Sequence, residues 1–504
     1  MNSYVAANSK PEKGQKPILF FNASARLEGL NLNAAFAMIS SWGVQLAGRE
    51  VAHFACRAGM SQCVLGAGLG DPKTPPPCSG CIRHTKLFSG AAPITWFQYR
   101  EDPALRKILQ SKSVPELKNL VYQDRPLGEL VLPSLRWILR RHHLLDDEIT
   151  HYLFSEYILS ADNIAEEFST SLLQIDPEIV VVFNGLQYPE AVVGWVAQQK
   201  GIRVITHEVN LQPFSAFFTE GQATIYPMNI PEEFDLSMDQ NQKLDQYLGK
   251  RFKGDFRMAG HKFWPLMDKL PEDFLSFAAK FDSIVPVFTN VVFDTSQAHA
   301  NTIFSQMFEW LDLVVEKAIQ HPEVLFVIRA HPDESRKGKS SQESVLTWAA
   351  ERGIVNFPNI KLIGPDETLS SYELIQQAKF TMVYNSSIGL EGTLLGSAVL
   401  CAGKARYTQY PTVFYPESRT AYEHTLESFL VIKQIQIPPI FYDQARKFLY
   451  YQLYRASLPF DEFLFEHPTP GYVQLKKFSR KSLRPGNSAT VDCVVNGILD
   501  GTEF

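Results

Sequence analysis

A chain of 504 residues exceeds the ~250–300 at which one hydrophobic core stops growing, so two domains are expected. Hydrophobic residues at 45% and charged residues at 20% exclude a disordered chain, because that much apolar surface repays the entropy of ordering. Lys and Arg number 48 against 54 Asp and Glu, a net charge of −6 that leaves no broad basic field to attract nucleic acid.

The chain is polar up to Pro17 and lacks the apolar stretch of a secretion signal. No window reaches the ~18 apolar residues that would span a bilayer. A soluble, cytoplasmic protein is the expectation, and six cysteines in this length imply a reducing compartment rather than a disulfide scaffold.

In chain order, Ile18–Phe21 is a short apolar run followed by Asn22–Arg26, and a helical pattern extends from about Leu30 to Ala47. Val51–Ala55 reads as the next strand, and a cysteine-containing insertion occupies about 56–90. A helix beginning near Leu130 closes on Arg136, Arg140, Arg141, His142 and His143, cations that complement its dipole. Glu178–Phe183 is a β-branched run ending in Asn184-Gly185, Pro189–Gln199 reads as a helix, and Arg203–Thr206 as a buried strand. Short apolar runs joined by helices are the pattern of a parallel sheet. Asp255–Pro271, with its Gly, Pro and charges, reads as a linker.

A second such series follows. Ile284–Phe288 ends in Thr289-Asn290, and Ile303 to Ala318 carries apolar residues at helical spacing. Val324–Ile328 is a strand that ends in Arg329-Ala330-His331-Pro332. Val345–Arg352 is helical, Ile360–Ile363 is a strand, and Ser370 to Glu373 forms a capping box. Phe380–Tyr384 runs into Asn385-Ser386-Ser387, a helix continues to Leu395, and Ala398–Cys401 is one more strand. Phe441–Phe465 is an aromatic-rich helical pattern. These elements predict an α/β protein with two Rossmann-like domains facing each other across a cleft and a C-terminal helical segment packing back. The expected ranges are 1–273, 284–430 and 431–504. Ligands of such folds bind outside the carboxyl ends of the strands.

His331-Pro332 and Ser386-Ser387 therefore stand at matched strand ends, an arrangement suited to an anion such as phosphate. The plainer alternatives are an N-cap for Ser386 and a backbone-bonded strand-end residue for His331. Thr289, Asn290 and Asp294, and Asn184-Gly185 with Asn22–Arg26 in the first domain, stand at strand ends as turns or pocket linings.

The run RAHP followed by YNSSIGLEGTLLGSAVLCAGKARY resembles the C-terminal domain of bacterial capsular polysaccharide glycosyltransferases that use CMP-Kdo. The HP and SS pairs also look like those of GT-B sialyltransferases. The resemblance implies a GT-B fold, His331 and Pro332 on the CMP portion, and Ser386 and Ser387, beside Asn385, on its phosphate. Glu391 matches a position near the nucleotide, or is a helix-surface carboxylate. In the first domain, Thr206-His207-Glu208-Val209-Asn210 and Phe218-Thr219-Glu220-Gly221 resemble an E-x-G…T-x-E-x-G pattern, with Asn210 in place of the first glycine. Glu208, after a buried strand, could take the proton of an acceptor hydroxyl, with Glu220 second in rank and His207 a partner or substitute.

Cys56, Cys63, Cys78 and Cys81 crowd a Gly- and Pro-rich segment, and Cys78-Ser79-Gly80-Cys81 has the spacing of a zinc knuckle. Structural zinc, an iron–sulfur cluster and unligated thiols are the readings; Cys401 is expected in the core and Cys493 in the tail. Lys476, Lys477, Arg480, Lys481 and Arg484 put five positive charges within 476–484, either a solvated tail or a contact for an anionic membrane surface.

The reading that joins these features is a glycosyltransferase of bacterial surface polysaccharide, with a CMP-linked donor and a glycan or lipid-linked acceptor. It needs no cofactor for the chemistry. The alternatives are a CDP-polyol phosphotransferase or UDP-sugar epimerase of the same shape, and a non-catalytic nucleotide-sugar-binding subunit.

Overall fold

The computed structural model describes residues 1–22, 29–64, 73–254, 269–336, 340–469 and 471–504. Most of the expected linker at 255–271, much of the segment between Cys63 and Cys78, and 23–26 fall outside them. The chain packs as two units. Unit 1 comprises 1–139, 144–226 and 456–504; unit 2 comprises 140–143 and 227–455.

Unit 1 is built on β1 (Ile18–Asn22), β2 (Val51–Cys56), β3 (Ile94–Phe97), β4 (Ile179–Phe183), β5 (Arg203–Val209) and β6 (Ser215–Glu220). Their order is β6-β5-β4-β1-β2-β3, with the short strand Leu458–Pro459 added beside β6. The strands from β3 to β5 are parallel, in register through Ile18↔Val51, Ile18↔Ile179 and Ile179↔Arg203. Their near-continuous burial follows from cover on both faces. One face packs Phe54, Phe97 and Phe168 with the long helix Glu148–Ile175. The other packs Phe36 and Trp42 of helix Leu32–Leu46 with Val491 and Val495 of helix Ala489–Asp500. Gly43 permits that approach, since a Cβ there would meet Val491 Cγ1 at 2.8 Å.

Unit 2 carries β7 (Ser283–Phe288), β8 (Val324–Arg329), β9 (Ile360–Ile363), β10 (Thr381–Val383) and β11 (Val399–Cys401). All pair in parallel in the order β11-β10-β7-β8-β9. The chain runs outward from β7 to β9, then returns to the other side of β7, which puts the topological switch between β7 and β10. Fully buried Trp310 donates to Tyr422 Oη at 2.7 Å and anchors the core over this sheet.

The predicted α/β class is thus what both units show. Three details differ. The first unit closes at Tyr226 rather than near 273, because helix Met238–Arg251 packs within unit 2, where Asn241 accepts from Arg446. The expected segment 431–504 divides: helix Pro439–Tyr454 belongs to unit 2, and 456–504 to unit 1. The helical pattern read through Phe465 stops at Tyr454, and Leu464–Glu466 instead forms a two-stranded ribbon with Val473–Leu475. Cys401 is fully buried as expected, and Cys493 sits half-buried on the last helix rather than in a loose tail. No helix among the described residues is long and apolar enough to cross a membrane.

Candidate functional site

The carboxyl ends of β7, β8 and β10 bring Thr289, Arg329, His331, Pro332, Ser386 and Ser387 around one recess of unit 2. This is where ligands collect in open parallel sheets. The recess measures about 60 Å³, room for a phosphate-sized group.

Each wall is fixed by local bonds. Thr289 donates its hydroxyl to Arg329 O at 2.9 Å, tying the end of β7 to that of β8. Asn385 Oδ1 accepts from Asn290 Nδ2 at 2.7 Å and Gln297 Nε2 at 2.8 Å, so Asn385 and Asn290 brace the switch point. Ser387, rather than Ser386, stands at the N-cap of helix Ile388–Leu394 and makes no side-chain capping bond. Tyr407 donates to Ser386 O at 2.8 Å and sets the serine turn.

Gly389 makes that contact possible: a Cβ would fall 2.3 Å from Tyr407 Oη. Gly389→Ala should therefore cost roughly 1–3 kcal/mol through overpacking, read as a lower urea midpoint. An unchanged midpoint would mean that Tyr407 yields without penalty.

His331 Nδ1 accepts the Asp333 N–H at 3.2 Å, which leaves the proton of the neutral ring on Nε2. Burial lowers the His331 pKa; Asp333 and Asp294 pull it back up, and Arg329 lowers it further. The ring is a neutral donor at neutral pH, not a cation.

The cation is Arg329, which sequence reading passed over as part of a strand. It is 6% exposed, and its guanidinium donates to Leu369 O and, at 3.2 Å, to Glu367 O. No carboxylate forms an ion pair with it among the described residues. Burial lowers its pKa to about 10, with Glu367 acting the other way, so it stays charged at neutral pH. The signal in the sequence was a lone Arg closing the apolar run Val324–Ile328.

Glu391 is not a helix-surface carboxylate. It is 5% exposed, accepts from Arg251 Nη2 at 2.7 Å, and accepts the Tyr372 hydroxyl. Arg251 is thus neutralised, which leaves Arg329 as the recess's positive wall.

In unit 1, Glu208 lies inside β5 rather than after it. Its Oε1 accepts the Val209 N–H at 2.8 Å, and its Oε2 accepts from Asn184 Nδ2. Asn184, at the end of β4, holds a left-handed φ of 63° and receives the Leu186 N–H on its own Oδ1. Asn210, in the position of the missing glycine, has no positive φ and reaches Ala456 O at 3.0 Å.

Two expectations fail on strand geometry. His207 alternates to the opposite face from Glu208 and is buried among Phe36, Phe183 and Phe218. Burial lowers its pKa to about 3, so it is a neutral core residue. Glu220 opposes Ile205 while Glu208 opposes Phe217, three rungs or ~10 Å apart. Glu220 is instead exposed and paired with Arg203 at 2.8 Å.

Of the four clustered cysteines, Cys56 closes β2 and Cys78 and Cys81 lie in the first turn of helix Cys78–Ser89. They lie close enough that Cys63, Cys81 and Cys78 act on Cys56, but burial is the main force holding that thiol protonated. Among the described residues no group of three or more His, Cys, Asp or Glu converges to hold an ion.

No protein-family model matches the chain. Over 240 residues it is 28% identical to the protein FixF of Sinorhizobium fredii (strain NBRC 101917 / NGR234). That alignment takes in 46% of this chain and spans half the length of the relative. Among solved structures it is similar to Thermosulfurimonas dismutans KpsC, the beta Kdo 2,4 transferase, with a TM-score of 0.35 and 10% identity over 59% of this chain and 84% of that one. The beta Kdo 2,7 transferase of the same KpsC gives 0.33 and 14% over 62% and 85%. UDP-GlcNAc 2-epimerase from Neisseria meningitidis gives 0.25 and 12% over 87% and 99%.

Proposed function

We propose that the chain is a glycosyltransferase of bacterial surface polysaccharide, whose unit 2 holds a nucleotide-linked sugar, CMP-linked by its motifs, through the donor phosphate. The observation that carries this reading is Arg329. Burying an ion costs several kcal/mol unless it is compensated, yet this guanidinium faces the recess with only two carbonyls as partners. Beside it are His331, donating from Nε2, and the hydroxyls of Ser386 and Ser387. Such a set complements an anion.

In the proposed reaction the acceptor hydroxyl oxygen bonds to the anomeric carbon as the bond from that carbon to the phosphate oxygen breaks. Charge grows on the departing phosphate, where Arg329 and His331 stabilise it. The hydroxyl proton passes to a carboxylate base, the role proposed for Glu208, which two donors hold in one orientation. The base role assumes inversion at the anomeric carbon.

A thermal-shift panel of CMP, CDP, UDP and GDP tests the donor class. CMP is expected to raise the melting temperature most. Stabilisation by UDP alone would replace the reading with an epimerase-like one, and by CDP alone with a polyol-phosphate transferase. Silence from all four would leave a non-catalytic role.

A further inference from the structure

We propose that the surface formed by Lys476, Lys477, Arg480, Lys481 and Arg484 docks unit 1 on an anionic lipid bilayer by electrostatic attraction. This inference is independent of the nucleotide that unit 2 binds.

The stretch is not a solvated tail. Residues Arg480–Leu483 form a 3₁₀ turn, Leu483 is fully buried in the core beneath helix Leu32–Leu46, and Phe478 packs edge-on against Phe463 with centroids 4.9 Å apart. All five cations remain exposed. Arg480 and Arg484 both lie over the single ring of Tyr4, at 5.4 and 5.6 Å. Arg484 also donates to Tyr4 Oη at 2.8 Å and Asn8 Oδ1 at 2.6 Å, and Lys476 donates to the Asp461 carbonyl at 2.5 Å. Every one of these acceptors is neutral. None of the five cations forms an ion pair among the described residues, although Asp461 and Glu462 precede the adjoining ribbon and Glu466 ends its first strand.

Five like charges are thus gathered without an ion pair among the described residues, in a chain whose net charge is −6. Their complement is external, negative and dense. Single-stranded nucleic acid would also need successive aromatic faces for its bases to stack on; Phe465 is exposed on the ribbon, but Phe478 packs on Phe463 and the Tyr4 ring carries two guanidiniums. What the patch offers is phosphate recognition alone, with Lys477 and Lys481 unengaged. That matches a layer of phosphate headgroups, to which each such cation contributes about 1 kcal/mol. Phe465, 40% exposed, and Leu475, 37% exposed, are large apolar side chains on the ribbon that leads into the stretch; with so little apolar surface beside five cations, the attachment is chiefly electrostatic and salt-sensitive.

The test is sedimentation of the full chain with vesicles of phosphatidylglycerol and phosphatidylcholine, against vesicles of phosphatidylcholine alone. At 0.1 M salt the protein is expected to pellet with the anionic vesicles only, and to detach at 0.5 M. The double variant K477E/K481E alters exposed side chains that make no hydrogen bond or ion pair among the described residues, so its melting temperature should match the parent. Its vesicle affinity should fall at least 30-fold, the equivalent of two lost contributions of about 1 kcal/mol each. Equal partition onto both vesicle types, or an unchanged affinity in the double variant, overturns the proposal. Release from vesicles by millimolar inorganic phosphate at constant ionic strength also overturns it, since that marks a site for one phosphate. Tighter binding to an oligoribonucleotide at matched phosphate concentration would assign the patch to nucleic acid instead.

Discussion

If Glu208 is the base of the proposed reaction, Glu208→Gln is expected to lower transfer turnover by about 10²–10⁴-fold, the span that a positioned general base contributes, with a melting temperature lower by several degrees. The amide keeps the shape of the carboxylate and can still accept one of its two bonds. It turns a donor toward the other, either Asn184 Nδ2 or the Val209 N–H, at a cost of about 1–3 kcal/mol. What it cannot do is hold the proton of an acceptor hydroxyl. Asn184→Gly is the companion variant. It removes the orienting amide and leaves the left-handed backbone unstrained, whereas alanine at φ 63° would add about 1–2 kcal/mol of strain of its own. If Asn184 positions Glu208, this variant loses turnover while substrate KM holds, and the acid limb of the pH–rate profile shifts. Initial rates of nucleotide release with acceptor present read both variants. Normal turnover in Glu208→Gln removes the base from the mechanism; normal turnover in Asn184→Gly, with Glu208→Gln inactive, removes only the positioning role.

Strand ends were the legible part of this chain. The apolar runs at Ile18, Ile179, Val285 and Leu325 are buried on both faces and so show as uninterrupted sequence, and the residues that close them fall where a parallel sheet binds ligands. That is why the amino-acid pattern alone suffices to place His331, Ser386 and Asn184 at strand ends. The antiparallel pairing of β5 with β6 was not legible. Without it His207, Glu208 and Glu220 read as one acidic and basic cluster, whereas the register turns His207 into the core and sends Glu220 to Arg203. Long-range ion pairing was equally hidden: Arg251 and Glu391 are 140 residues apart, and no local pattern marks either as the other's partner. The division of the C-terminal segment depends on the same kind of contact. Helix Pro439–Tyr454 is claimed by unit 2 through Arg446 and Asn241, while Leu458 pairs with Ala216 of unit 1.

Arg329→Met weakens CMP binding by about 10–150-fold, corresponding to the ~1.5–3 kcal/mol of a hydrogen bond to a charged group, and leaves cytidine binding unchanged. The contrast isolates the phosphate, because the two ligands share base and ribose and differ only in the anion. Methionine retains much of the volume of the arginine stem, so the recess walls formed by Thr289 and Pro332 keep their support. The Leu369 and Glu367 carbonyls lose their donors, which costs stability, so a second variant is needed. Arg329→Lys keeps the charge but cannot hold both carbonyls and the ligand at once; its CMP affinity should lie between parent and methionine. Calorimetric Kd values for CMP and cytidine decide the matter. Parallel weakening of both ligands would make Arg329 a structural brace for the strand end, and no weakening of either would take the phosphate out of this recess altogether. Selective loss of CMP, graded from lysine to methionine, is the result expected of a buried guanidinium held by two carbonyls, since its desolvation is offset further when the anion is bound.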